Sequence, residues 1–210
     1  MIVTEVTEHG KNKYKVYVDY EFAFVLYKGE LHKYRIKKGL EIEPQLFREL
    51  TQNVLPKRAK LRAMNLLAKR PYTEEQLRKK LKEGFYAEVD VESAIAYVKS
   101  FGYVNDEVYA RDYILYHLEN TGHRNIRQKL LQKGIDRQLV DSLIEQIDGE
   151  EIRHAQREQI RALFMKKYNG EMPSEPAQKT KVWNYFLRKG YSVSEVKEAL
   201  DEKSLDDLYN

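Results

Sequence analysis

The sequence contains no cysteine. Structural disulfides, cysteine-ligated zinc, iron–sulfur clusters and thiol chemistry are thereby excluded. Long apolar runs are missing too: no segment approaches the roughly 18 apolar residues of a membrane span. The N-terminus, MIVTEVTEHGKNKYKVYV, lacks the basic-then-apolar order of a secretion signal. The expectation is a soluble, cytoplasmic chain with no membrane attachment. No GxxxxGK[ST] or GxGxxG loop is present to cradle phosphates, and no GxSxG elbow. The five histidines, His9, His32, His117, His123 and His154, form no HExxH and no pair four residues apart. No single helical face therefore presents a zinc chelate. These residues point to neither an enzyme nor a cofactor.

What the chain does have is charge. Of its 210 residues 33% are charged, against a usual quarter. A mean hydropathy of −0.71 then favours several small cores over one large one. Lys and Arg number 37 against 33 Asp and Glu, for a net charge of +4. A total that small says little about a partner, so its distribution matters more.

The first 55 residues differ from the rest. Segments 14–18 (YKVYV) and 22–27 (FAFVLY) carry the Val, Phe and Tyr of strands. Gly10 and Gly29 punctuate them, and Tyr34–Ile36 offers a further short strand. Residues 1–55 are read as a small β-rich subdomain ending near Leu55–Pro56, where proline suits the first turn of a helix. Beyond it the apolar period becomes helical. Leu61, Met64, Leu67 and Ala68 form a first stripe. Thr73 with Gln76 starts a second helix through a capping box, Gly84 ends it, and a third runs from about Val89 to Ser100.

That arrangement recurs. QLRKKLKEGFYAEVDVESAI (76–95), NIRQKLLQKGIDRQLVDSLI (125–144) and KVWNYFLRKGYSVSEVKEAL (181–200) share an order. Each has two apolar anchors four residues apart: Leu77 and Leu81, Ile126 and Leu130, Val182 and Phe186. A glycine follows (Gly84, Gly134, Gly190), then Phe85, Ile135 or Tyr191, then another amphipathic helix. A helix precedes each copy, at 57–69, 106–118 and 151–168. The anchors lie 49 and then 56 residues apart, so the third copy carries extra length, assigned to Asn169–Lys179. The expected fold is mainly α: three tandem three-helix repeats, 56–104, 105–149 and 150–210, stacked into a curved elongated rod behind the β-rich segment.

Charge alternates within each repeat. Residues 56–85 hold 10 Lys and Arg against 3 Glu, whereas the third helix of each repeat is acidic. Repeated positive charge along one side suits a long polyanion, or equally an acidic protein groove. Acidic third helices pairing with basic neighbours are the plainer explanation. The candidate contacts in the first repeat are Arg58, Arg62, Lys69 and Arg70. In the second, Arg124, Arg127, Lys129, Lys133 and Arg137 surround the Ile126–Leu130 stripe. Arg124 sits near a helix N-terminus, where the dipole disfavours a cation, which hints at an external anion. The 16 tyrosines invite a base-stacking role, but Tyr97, Tyr103, Tyr109, Tyr113 and Tyr116 fall near faces that must pack.

From about Ala63 to Ile144 the chain resembles the RecX family. LLAKRPYTEEQLRKKLKEGF is similar to that family's leading signature. GYVNDEVYARDYILYHLENTGHRNIRQKLLQKGI is similar to its second, at Gly102, Tyr103, Asp106, Tyr109, Ala110, Gly122, Ile126, Leu130, Lys133, Gly134 and Ile135. Two positions depart: His117 stands where the family commonly has Arg, and Lys129 where an acidic residue is frequent. The resemblance implies tandem three-helix repeats in a monomer that binds the groove of a RecA–single-stranded DNA filament. It also implies modulation, mostly inhibition, of RecA ATPase, strand exchange and coprotease activity, with no cofactor. The rival expectation is a helix-turn-helix-like DNA-binding regulator independent of RecA.

Overall fold

The computed structural model describes residues 1–118, 120–147 and 149–200. Residues 201–210, assigned above to the third repeat, fall outside them, as do Glu119 and Asp148. The chain divides into two units, Met1–Asn105 and Asp106–Asn210.

In the first unit, β1 (Val3–Glu8), β2 (Lys13–Val18) and β3 (Glu21–Tyr27) form an antiparallel sheet in that order. Alternation buries Val16 and Val18 on one face of β2. The β2–β3 turn uses no glycine: Asp19 and Tyr20 both take left-handed φ, 49° and 71°. Hydrogen bonds hold this costly pair in place. Asp19 Oδ1 accepts from the Ile2 N–H at 2.8 Å, and the Tyr20 N–H donates to Thr4 Oγ1 at 3.0 Å.

The sequence reading missed β1, and its short strand at Tyr34–Ile36 is absent. Residues 28–33 instead form helix α1 (Lys28–Lys33), with Gly29 inside it. The Glu30 carboxylate accepts from the Tyr27 N–H at 2.7 Å and so starts the helix where a turn was expected.

The helix expected from Pro56 does begin at Leu55, but the chain is already helical when it reaches that point. Helix α2 (Pro44–Arg48) runs into a π-helical segment (Glu49–Val54) and on into α3 (Leu55–Leu67). Pro56 has no N–H and its ring crowds the carbonyl four residues back, so a widened turn upstream lets the helix continue through it.

Helices α3, α4 (Glu74–Lys82) and α5 (Glu88–Ser100) make the first repeat. Thr73 caps α4: its Oγ1 accepts from the Gln76 N–H at 3.2 Å, while Gln76 Oε1 accepts from the Thr73 N–H at 3.4 Å. Most of the expected stripe on α3 faces outward: Ala68 is exposed and only Leu67 packs, half-buried, against the core. Leu61 and Met64 are exposed, and Ala59, Ala63 and Leu66 are buried against Val91, Ala94, Ile95 and Val98 of α5. Two alanines allow α5 to approach closely, and that gain outweighs burying the larger side chains.

The second unit holds α6 (Asp106–Leu118), α7 (His123–Gln132) and α8 (Arg137–Ile147), then α9 (Glu150–Tyr168), α10 (Pro176–Arg188) and α11 (Val193–Ala199). The anchors Ile126, Leu130, Val182 and Phe186 are fully buried, as are Leu77 and Leu81 in the first unit. The third copy's extra length falls only partly in the expected link, where seven residues separate α9 from α10 against four between α6 and α7. Most of it lies in α9, with 19 residues against 13 in α6, and in α10, with 13 against 10 in α7.

The middle helices of the second and third copies end alike. Gly134 and Gly190 are left-handed, at φ 84° and 91°. The next residue's N–H reaches back five positions: Ile135 to Leu130 O and Tyr191 to Phe186 O, both at 3.2 Å. In the first copy the glycine comes one residue early. Gly84 is not left-handed; Phe85 takes that role at φ 62°. Its ring meets His9, just past β1, and Phe22 of β3 at 4.8 and 5.9 Å, edge-on, and Lys15 Nζ sits 4.3 Å from its centroid.

Candidate partner-binding surface

The basic cluster of the second repeat sits on α7, with Lys133 at its C-cap and Arg137 opening α8. Gly122 is the N-cap residue of α7, whose first turn abuts the end of α10. The Gly122 N–H donates to Lys189 O at 3.0 Å and the Arg124 N–H to Gly190 O at 3.2 Å. Asn125 Nδ2 donates to Arg188 O at 2.8 Å, and Thr121 Oγ1 to Lys189 O at 2.5 Å. Donors orphaned at one helix start thus satisfy carbonyls orphaned at another helix end. A Cβ on Gly122 would collide with the Gly190 backbone. The position of Arg124 then needs no external anion, because it stands beside the negative end of the α10 dipole.

The nine candidate cations divide into engaged and free groups. Arg58 is internal: Nη1 lies 2.5 Å from Glu30 Oε2, Nη2 donates to Val25 O, and the guanidinium sits over Tyr27 and Tyr86. Arg127 Nη2 is 2.6 Å from Asp141 Oδ2. Lys133 lies over Tyr109 and Tyr113 at 5.6 and 5.2 Å, and Arg70 over Tyr72 at 3.8 Å. Arg62, Lys69, Arg124, Lys129 and Arg137 are exposed and have no carboxylate partner among the described residues. The cluster is therefore smaller than its sequence suggests.

In the first two repeats part of the basic charge on the second helix meets the acidic third helix, at Arg78–Glu92, Lys82–Glu88 and Arg127–Asp141. Arg78 bridges Glu92 of α5 at 2.7 Å while also holding Glu74 and Glu75. That contact holds the Glu92 carboxyl below its usual range, and Lys99 with Arg78 does the same for Glu74. In the third repeat Tyr191 is fully buried, donates to Gln159 Oε1 at 2.6 Å, and is pushed up to about 12 by burial and then by Glu195.

One face of α6 carries an aromatic ladder. Tyr109 and Tyr113 stack at 6.3 Å, and Tyr113 meets His117 at 4.1 Å. Burial lowers the His117 pKa below its ordinary value, and the nearby Lys129 and Lys133 lower it further. Both departures from the family pattern, His117 and Lys129, therefore interact. Lys133 lies over both tyrosine rings, so neither presents two bare faces.

The first unit contains a cavity that sequence reasoning did not anticipate. It measures about 160 Å³ and lies between β2, β3, α3 and α4. Lys13, Arg58, Arg62 and Lys80 line it together with one carboxylate, Glu83, and Tyr27 and Tyr86 form walls. Burial raises the Tyr86 pKa, and Arg58 works against that rise. Lys13 and the two tyrosines carried no sequence signal, because strand and loop residues far apart in the chain meet only in the fold.

Three family models match the chain: RecX, first three-helix domain, over 59–97; RecX, second three-helix domain, over 105–143; and RecX, third three-helix domain, over 155–200. Among curated relatives, regulatory protein RecX of Caldanaerobacter subterraneus is 28% identical over 203 residues, covering 96% of this chain and 99% of the relative. That of Clostridium beijerinckii is 28% identical, covering 92% and 90%. A crystal structure of a regulatory protein RecX matches with a TM-score of 0.63 at 24% identity, over 96% of this chain and 99% of that one. RecX from Lactobacillus salivarius matches with a TM-score of 0.63 at 20% identity, over 72% and 98%.

Proposed function

Because this chain belongs to the RecX family, we propose that it binds a RecA–single-stranded DNA filament along its groove and inhibits RecA. The outputs affected are ATP hydrolysis, strand exchange and coprotease activity. It acts as a monomer in the cytoplasm, with no catalysis of its own. The observation that carries this reading is family membership across all three helical domains, in relatives named regulatory proteins. The cations left without carboxylates, Arg62 and Lys69 in the first unit and Arg124, Lys129 and Arg137 in the second, support it. Several weak contacts along one filament add through effective concentration.

The test is DNA-dependent ATP hydrolysis by RecA with the chain added below stoichiometry. The expected result is inhibition. Reversing Arg124, Lys129 and Arg137 together to Glu weakens it, with the circular-dichroism spectrum unchanged. Undiminished inhibition by that folded variant removes these residues from the contact surface, and no inhibition by the wild type removes the function.

A further inference from the structure

We propose that the cavity between the β-sheet and the first repeat is a phosphate site, and that it holds a backbone phosphate of a nucleic-acid strand. Three separate stretches of chain bring cations to it: Lys13 from β2, Arg58 and Arg62 from α3, and Lys80 from α4. Two of these charges are answered within the protein. Glu30 holds Arg58 at 2.5 Å, and Glu83 holds Lys80 at 2.7 Å. Lys13 and Arg62 have no carboxylate partner among the described residues. Arg58 is also mostly buried, and its Nε has no hydrogen-bond partner. Counting Glu83, the lining carries four cations against one carboxylate, an excess of positive charge that an entering anion relieves.

Size and geometry narrow the anion. At about 160 Å³ the cavity is smaller than the roughly 300–1,000 Å³ of small-molecule pockets, so it takes a group rather than a whole molecule. A planar carboxylate is best served by one guanidinium fork. Here donors converge from three elements, which suits the tetrahedral oxygens of a phosphate. Choosing a nucleic-acid strand as the phosphate's source rests on the filament-binding reading above. The site also gives the β-rich segment a role in binding, since β2 supplies Lys13, which the helical repeats cannot.

The test is fluorescence anisotropy with a labelled oligo-dT strand, without RecA, across a salt series. The full-length Lys13→Glu/Arg62→Glu variant is expected to bind at least about tenfold more weakly. Its slope of log K against log salt should be shallower by about 0.7 for each phosphate no longer neutralised. Lys13→Gln/Arg62→Gln should shift the same way by less. The charge-matched control Lys37→Glu/Lys38→Glu, at exposed positions away from the cavity, should leave most of the affinity intact. Unchanged affinity and slope in the folded Lys13/Arg62 variants overturns the site. So does poly-glutamate competing as well as oligo-dT of equal charge. Inorganic phosphate that saturates at Lys13 and Arg62 while oligo-dT binding ignores them assigns the site to free phosphate and overturns the strand. RecA inhibition is read separately, so a wild type that fails to inhibit RecA yet binds oligo-dT through Lys13 and Arg62 sinks the filament reading and leaves the site standing.

Discussion

Arg127 and Asp141 form an ion pair at 2.6 Å that repeats, one module earlier, as Arg78 and Glu92 at 2.7 Å. Arg127 stands two residues into its copy of the repeat, as Arg78 does, and Asp141 and Glu92 hold equivalent positions. In the third copy Trp183 and Lys197 occupy these places, so an apolar ring replaces the ion pair. The pair ties the second helix of a repeat to the third.

Loss of this tie should cost stability and not partner binding. Arg127→Glu sets a carboxylate against Asp141 and is expected to lower the urea midpoint. The exposed setting limits the loss to about 1 kcal/mol or less. Adding Asp141→Lys should recover part of it. A single reversal that leaves the midpoint unchanged means the pair is decorative.

Phe85 holds a left-handed backbone that costs a side-chain-bearing residue about 1–2 kcal/mol. Phe85→Ala keeps the strain and removes the ring from His9 and Phe22. Phe85→Gly removes the ring as well but relieves the strain. The glycine variant should therefore unfold at higher denaturant than the alanine variant, by about 1 kcal/mol. Equal midpoints contradict the assigned backbone.

Two glycines should respond oppositely to alanine. At Gly122 the added methyl meets the Gly190 backbone, and a loss of about 1–3 kcal/mol is expected, as for overpacking elsewhere. At Gly29, inside α1 with open space around it, alanine should gain about 0.5–1 kcal/mol in helix stability. Thermal melts of both variants check the contrast.

His117 should make the second unit acid-sensitive. Its folded-state pKa lies below the ordinary value, so the unfolded chain binds the proton more readily. Stability is then complete above the unfolded pKa, about 6.5, and is lost as pH falls through it toward the folded value. His117→Gln should show a smaller drop in urea midpoint between pH 8 and pH 5.5 than the wild type. Identical drops would clear His117 of any part in it.

The repeat anchors were legible because burial at Leu77 and Leu81, Ile126 and Leu130, and Val182 and Phe186 leaves a mark four residues apart in each copy. Other features leave no such mark. On α3 the packed face is alanine, so Leu61 and Met64 drew the stripe to the exposed side. The Asp19–Tyr20 turn has no glycine to announce it. The helix-ending glycine of the first copy is offset by one, which hides the exchange with Phe85. At the candidate surface, sequence supplied the cations but not their partners. Arg127 and Asp141 are 14 residues apart, and Glu30 reaches Arg58 across 28. Lys13, in a strand of the β-rich segment, joins its cavity only through tertiary packing.

The seating of α7 on α10 has a consequence for how the chain is made. The carbonyls that receive the Gly122 and Arg124 amides belong to Lys189 and Gly190, more than sixty residues later. A ribosome adding roughly 5–20 residues per second delivers them seconds after the second repeat has emerged. Through that interval the second repeat has one bare helix end, where a chaperone or a wandering peptide finds free donors. The second module is thus finished only when the third arrives, and the two mature together although they are translated in turn.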